Sequence, residues 1–353
     1  VIRETSASPS PVPRPLVDSL PSYSRAASAS IRWRASSNEA PIPPSPLAVR
    51  AAADAAAKAH LYPSLGGEGL IEALADHVGI APDRVAVGPG SLALLERLLL
   101  AYTGAGTEVV HAWRSYEAYP IVVTIAGARS VAVPLDAFQR HDVDAMLRSI
   151  TGRTRVLIIC DPNNPTGTIL DPAEVERLVR SVPSDVLVVI DEAYREFDEN
   201  APDTLGLLTL PNVALLRTFS KAYGLAGLRA GYLLAAPQIC RTIQKVALPF
   251  ALSRIAEAAA TAALADDDHL RSVVQTVRTR REQLAAKLST VADVPQSRAN
   301  FLWIPIGARA ASVAAACAKA GLSVRSFPGE GVRVTVGDPN VDDILLKSLH
   351  PTP

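Results

Sequence analysis

RVLIICDPNNPTGTILDPAEVERLVRSVPSDVLVVIDEAY, residues 155–194, is the stretch whose reading decides the fold. It opens on one apolar run, Arg155–Asp161, and closes on a second, Val186–Asp191. Runs so nearly continuous in Val, Leu and Ile suit strands of a parallel sheet covered on both faces. Between them Pro172–Ser181 has the periodicity of an amphipathic helix, and Asp171 stands at its N-cap position. Strand, helix and strand in that order specify an α/β fold.

The alternation continues on both sides. Arg84–Val87, Glu108–His111, Ser130–Val133, Asn212–Thr218 and Ala230–Ala235 are further candidate strands, and Leu92–Tyr102 is a further helix. Together they predict a mostly parallel seven-stranded sheet covered by helices. After Pro237 the pattern changes. Helices are expected at Ile255–Leu264, Leu270–Leu288 and Ala310–Ala320, with strands at Phe301–Pro305, Leu322–Arg325 and Val332–Val336. That is the composition of a smaller α+β domain. The expected organisation is an N-terminal arm over 1–40 packing on the small domain, a large domain over 41–245 and a small C-terminal domain over 246–353. The arm carries TSASPSPVPRP, a Ser/Pro-rich sequence that reads as extended.

A chain of 353 residues is too long for one small core and suits two domains. Lys+Arg and Asp+Glu are equal at 35 each, so the basic surplus of a nucleic-acid binder is missing. No apolar run approaches the ~20 residues of a membrane helix, and the first residues lack the apolar stretch of a signal peptide. Cys160, Cys240 and Cys317 are odd in number and form no C-x-x-C, which argues against a disulfide framework or a zinc site. Reduced thiols fit a cytoplasmic protein. The six histidines are scattered without ligand spacing, so no metal is expected.

Ligands of an open parallel sheet bind beyond the carboxyl ends of its strands. The chemically interesting residues fall there repeatedly: Asp161–Gly167 after one strand, Asp191–Tyr194 after the next, Thr218–Lys221 after a third, and Arg229 opening a fourth. A lysine in the mostly apolar segment FSKAYGLAGLRAGY loses its proton cheaply, because burial disfavours the ammonium form. A neutral amine condenses with an aldehyde. An aspartate at a strand end can protonate a pyridine nitrogen and make the ring an electron sink. The planar fork of Arg229 suits a phosphate, and so does Gly88-Pro-Gly-Ser91 at the start of a helix. Lysine, aspartate, tyrosine, arginine and a glycine phosphate loop together point to pyridoxal phosphate.

On these residues the chain resembles the fold-type-I pyridoxal-phosphate aminotransferases, in the histidinol-phosphate and aromatic amino acid aminotransferase branch. The resemblance covers about residues 38–338. Its most specific pieces are PNNPTG (162–167), DEAY (191–194) and TFSKAYGLAGLRAGY (218–232); SNE (37–39), LYPSLGGEGLIEALA (61–75), SYEAY (115–119), ANF (299–301) and GVRVTVG (331–337) are weaker. It implies that Lys221 carries the cofactor as a Schiff base and shuttles the substrate proton. It implies Asp191 at the ring nitrogen, Asn164 and Tyr194 at the ring 3-oxygen, and Tyr116 on the ring face. The phosphate falls to Thr218, Ser220, Arg229 and the backbone at Ser91 and Leu92. Tyr62 is implied to reach the phosphate of the neighbouring subunit, which makes the active unit a homodimer with shared sites. Arg333 is implied to clamp the substrate α-carboxylate beside Asn38, with Tyr23 and Arg325 also at the substrate.

Two departures from the family pattern bear on substrate. YSRAAS follows where relatives often have a Val-Pro-Gly turn, and Ala40-Pro41 follows Asn38-Glu39. The implied reaction joins a small-molecule amino donor to a 2-oxo acid acceptor, here an aromatic amino acid with 2-oxoglutarate. Histidinol phosphate, another biosynthetic donor and a threonine-phosphate-decarboxylase-like reaction remain alternatives, because Lys221 and Asp191 serve all of them. A non-enzymatic sensor of the cofactor would carry an added DNA-binding domain, for which neither end is expected to leave room. The leading expectation for Arg325 is that it tunes what the far end of the substrate can be.

Overall fold

The computed structural model describes residues 12, 14–18, 20 and 31–350. All seven expected strands form one sheet: β2 (Val85–Gly88), β3 (Glu108–Trp113), β4 (Arg129–Pro134), β5 (Thr154–Cys160), β6 (Leu187–Asp191), β7 (Val213–Thr218) and β8 (Gly231–Ala235). A short β1 (Trp33–Arg34) precedes them. The sheet order is β2-β8-β7-β6-β5-β3-β4. The four pairings from β7 to β4 are parallel, whereas β8 runs antiparallel to both β7 and β2.

Side chains alternate across the sheet as the strand period requires. Val110, Leu157, Ile159, Val188, Ile190 and Leu215 face one helical layer, which includes Glu68–Val78, Pro172–Ser181 and Arg254–Leu264. Val109, Val156, Ile158, Val189 and Leu216 face the other, formed by Ser91–Tyr102, Ala118–Ile125 and Pro237–Lys245. The expected N-cap is present: Asp171 accepts a hydrogen bond from the Ala173 amide at 2.8 Å. Both faces are therefore buried, which is why the strands carry so few polar residues.

A second core gathers around β9 (Phe301–Ile304), β10 (Leu322–Ser323), β11 (Arg325–Phe327) and β12 (Gly331–Thr335), with the helices Ala310–Lys319 and Asn340–Leu349. β11, β12 and β9 form an antiparallel three-stranded sheet. The single strand expected at 322–325 is two. Leu322–Ser323 pairs in parallel with β1, and the chain then turns so that Arg325–Phe327 pairs with β12.

For the boundary, expected at 245, we propose a later place. Ala256, Ala259, Ala260 and Ala263 are buried in the core of the large sheet, so the helix Arg254–Leu264 belongs to that unit. We place the division between the two units at the Ala265–Asp266 junction, before the 22-residue helix Asp267–Leu288. The arm is shared rather than confined to the small unit. Trp33 and Arg34 pair with Leu322 and Ser323, but Arg14 donates to the carbonyl of Ile125 at 3.0 Å on the large unit.

The reversed strand β8 forms a tight seam. Gly231 lies opposite Gly88 of β2, and a Cβ at Gly231 would meet the amide nitrogen of Ser91 at 2.4 Å. That atom is backbone and cannot swing aside. Gly231→Ala is expected to destabilise the protein by about 1–3 kcal/mol through overpacking. Circular dichroism melts should show a lower midpoint, and a midpoint equal to wild type would count against the seam as described.

Candidate active site

A cavity of about 590 Å³ opens at the carboxyl edge of the sheet. Reversal of β8 explains its composition. Because β8 runs opposite to β7, its beginning lies at the same edge as the ends of β2, β5, β6 and β7. Arg229, just before β8, thus meets Thr218, Ser220 and Lys221, which follow β7, and Ser91, which follows β2.

One end of the cavity is a cradle for an anion. The helix Ser91–Tyr102 starts there after Gly90, whose φ of 95° is left-handed. Arg229 also has a positive φ, 59°, and a Cβ on Gly90 would meet Arg229 Nη2 at 2.5 Å. Only a glycine lets the guanidinium lie so close to the helix start. Arg229 Nη1 donates to Ser220 Oγ at 3.2 Å, and Thr218 Oγ1 donates to the same oxygen at 3.0 Å. Helix amides, two hydroxyls and a guanidinium are the donor set a phosphate takes.

The floor is Asp191 at the end of β6. Tyr119 Oη donates to its Oδ2 at 2.7 Å and the Ala193 amide to its Oδ1 at 3.2 Å. Burial pushes the carboxyl up to about 6 against these two hydrogen bonds. Both donors are neutral, so a cationic ring nitrogen at this place would restore the full carboxylate. Tyr194, the other cavity residue of DEAY, has a hydroxyl that accepts from Asn38 Nδ2 at 2.9 Å. Glu192 instead turns away and pairs with Arg217 at 2.7 Å and Arg195 at 2.9 Å.

Lys221 Nζ donates to the Ser37 carbonyl at 3.2 Å and lies 5.7 Å from the centre of the Tyr194 ring. Burial, helped by the positive Arg333, pushes its amine down to about 7. The nucleophile is therefore made by its surroundings, as desolvation and like charge dictate. Arg333, buried on β12, donates to Asn164 Oδ1 and, at 2.6 Å, to the Ser36 carbonyl. Its guanidinium also sits 5.4 Å from the Phe301 ring centre. Asn164 is held by its loop. Asn163 accepts from Ser115 at 2.8 Å, and the Gly167 carbonyl accepts from the Arg298 amide at 2.7 Å.

Fourteen chemistry-bearing residues were expected beside Lys221. Of these, Asn38, Ser91, Leu92, Tyr116, Asn164, Asp191, Tyr194, Thr218, Ser220, Arg229, Arg325 and Arg333 line the same cavity as Lys221. Tyr62 does not. It is exposed, stacks on Phe250 at 4.7 Å and has its carbonyl held by Arg254 at 2.6 Å. Tyr23 lies outside the described residues. Leu16, which could have lined an aromatic pocket, is exposed and is not part of the cavity wall. Sequence reasoning missed Tyr119 and Glu117. Both lie in SYEAY, where three-residue spacing places Tyr116 and Tyr119 on one side of a helical turn, in edge contact at 5.5 Å. Among the described residues no group of three or more His, Cys, Asp or Glu could hold a metal ion, and no helix is long and apolar enough to cross a membrane.

Residues 34–349 match the family model "Aminotransferase class I and II". The chain is 44% identical over 346 residues to an aromatic amino acid aminotransferase of Streptomyces avermitilis, with 96% of each covered. It is 48% identical over 312 residues to that of Rhodococcus jostii, covering 88% of this chain and 87% of the relative. Its fold matches the histidinol-phosphate aminotransferase of Sinorhizobium meliloti, solved with pyridoxal-5′-phosphate, at a TM-score of 0.87 and 29% identity, with 95% of each chain covered.

The depressed amine of Lys221 gives a direct test in the protein without added ligand. Below pH 7 the ammonium form prevails and resists reductive methylation; above it the neutral amine reacts. Peptide mass spectrometry should show Lys221 methylation levelling off with a midpoint near 7. Exposed lysines should keep gaining reactivity up to about pH 10. A Lys221 midpoint matching theirs would mean that the amine is solvated.

Proposed function

Because the chain belongs to the class I and II aminotransferase family, we propose that it transfers the amino group of an aromatic amino acid to 2-oxoglutarate. Its cofactor is pyridoxal 5′-phosphate, which supplies an electron-withdrawing ring that stabilises charge developing at the substrate Cα. The observation that carries the reading is the convergence on one cavity of a depressed lysine amine, a buried carboxylate and a phosphate cradle. The choice of an aromatic donor rests on the aromatic amino acid aminotransferases that the chain resembles over most of its length.

We assign the phosphate to the amides at Ser91 and Leu92, the hydroxyls of Thr218 and Ser220, and Arg229. Asp191 holds the ring nitrogen protonated, and Tyr119 fixes the carboxylate that does so. Asn164 and Tyr194 flank the ring oxygen, and Tyr116 covers a ring face. Lys221 would anchor the cofactor, and its Nζ, once free, would be the base that moves the proton at the substrate Cα. Arg333 clamps the α-carboxylate bidentately, a geometry that lysine would not reproduce, and Asn38 lines the same side. Tyr23 and Arg325 complete the substrate side.

Tyr62 serves the other copy of the chain in a homodimer. It lies in an exposed apolar stretch with Leu61, Leu65, Leu248 and Phe250, each at least 40% exposed. Apolar surface so concentrated marks an interaction face. The dimer is composite, each cofactor phosphate meeting Tyr62 of the partner subunit.

Two experiments test this reading. A panel of amino donors with 2-oxoglutarate should give phenylalanine or tyrosine a kcat/KM at least about tenfold above histidinol phosphate. The reverse order would replace the aromatic donor and leave the aminotransferase standing. In the second, Lys221→Ala and Tyr62→Ala proteins, each impaired alone, are mixed under conditions of subunit exchange. One site of the mixed dimer collects both lesions and the other neither, so activity should return. Proven exchange without recovery would place Tyr62 outside the partner's site.

A further inference from the structure

We propose that Glu117 sets this enzyme's substrate preference by competing with anionic substrate tails for Arg325. The inference rests on the aminotransferase reading above. Arg325 on β11 and Glu117 on the opposite wall face each other in the cavity. Arg325 Nε meets Glu117 Oε2 at 2.9 Å and its Nη2 meets Oε1 at 3.0 Å, a bidentate pair. Glu117 immediately precedes the helix Ala118–Ile125. The side chains are 23% and 28% exposed, so the pair is neither surface decoration nor sealed core.

A second acid–base pair, whose residues are not in the cavity lining, joins the same two stretches of chain. Arg114 Nε donates to Glu330 Oε2 at 2.9 Å, and Arg114 lies 5.2 Å from the Phe327 ring centre. Each of these arginines thus has its own carboxylate, and two arginines balance two glutamates. An uncharged substrate side chain can lie against Arg325 and Glu117 and leave their pair intact. A carboxylate or phosphate tail meets a different situation. It gains Arg325 only by displacing Glu117, and it then lies beside a carboxylate that has lost its counter-charge. Discrimination by an unpaired charge of this kind is a penalty on the wrong ligand rather than a gain for the right one. Arg333, on the neighbouring strand directly opposite Arg325, has other partners, Asn164 and the Ser36 carbonyl, and is the arginine proposed for the α-carboxylate that all amino acid donors share.

The same competition acts on the acceptor. The far carboxylate of 2-oxoglutarate draws on Arg325 too, so Glu117 raises the KM of the acceptor while leaving an aromatic donor untouched.

Binding of two unreactive carboxylates to the cofactor-loaded protein, followed by calorimetry, separates these effects. 3-Phenylpropionate carries one carboxylate and a neutral ring; glutarate carries a carboxylate at each end. Glu117→Gln is expected to tighten glutarate about tenfold and to shift 3-phenylpropionate by less than about twofold. The KM for 2-oxoglutarate should fall in parallel. In the double variant Glu117→Gln/Arg325→Ala the gain should vanish. Equal changes for both ligands, no change for glutarate, loss of binding of both, or a gain that survives removal of Arg325 would each overturn the proposal. A wild-type protein that transaminates no donor would instead strike the reading on which the proposal stands.

Discussion

The structure depends on one reversed strand. β8 is the only member of the seven-stranded sheet that runs against its neighbours, and it is wedged between β2 and β7. Had it run parallel, its beginning would lie at the far edge and Arg229 would be a strand length from Lys221. Reversal puts the residue before β8 beside the residues after β7 and β2. Gly231 and Gly90 permit the approach, one admitting the Ser91 amide and the other the Arg229 guanidinium. The phosphate cradle is therefore a consequence of topology first and of side-chain choice second.

From that placement the electrostatics follow. Burial presses the proton off Lys221, and the positive Arg333 and Arg229 add to it against the acidic Glu39 and Asp191. The same burial acts on Asp191 with the opposite result, raising a carboxyl that only Tyr119 and a backbone amide support. A base that sheds its proton near neutrality and an acid that gains one belong to the same cavity. Neither residue is unusual by type. Their behaviour comes from being held away from water by the ends of buried strands.

How much of this was legible in the sequence varied with the length of the signal. The strands of the large sheet were readable because burial on both faces writes them as apolar runs, and six of the seven expected ranges lie within one residue of the observed ones at each end. Only Glu108–Trp113 runs on two residues past its expected end. The local motifs PNNPTG, DEAY and TFSKAYGLAGLRAGY carried the cofactor residues because the chain supplies each group from one strand end. Within them, however, the sequence did not say which residues face inward. Tyr223 and Tyr232 pack around Phe219, and Glu192 pairs with Arg217, so half the motif is scaffold. What was not legible depended on tertiary pairing. The alanine-rich helix Arg254–Leu264 gives no sign of which core it joins. A switch of partner at Val324, from β1 to β12, leaves no trace in a run of mixed residues.

The separation between cofactor and substrate residues has a physical origin. The residues proposed for the cofactor come mainly from strand ends of one sheet, where a displaced residue would cost packing as well. Arg325 and Glu117 come from different layers, one on the small three-stranded sheet and one before a helix of the large unit. Their pairing is a contact between surfaces rather than a property of either segment. Substitution at either place leaves the strand-end machinery in position and changes only the charge balance of the wall. A fold of this kind can accordingly keep one chemistry while its substrate side drifts, and motifs that fix the cofactor say little about the donor. On the proposed reading, substrate preference is set where β11 faces the segment before Ala118–Ile125, by an arginine that arrives already paired.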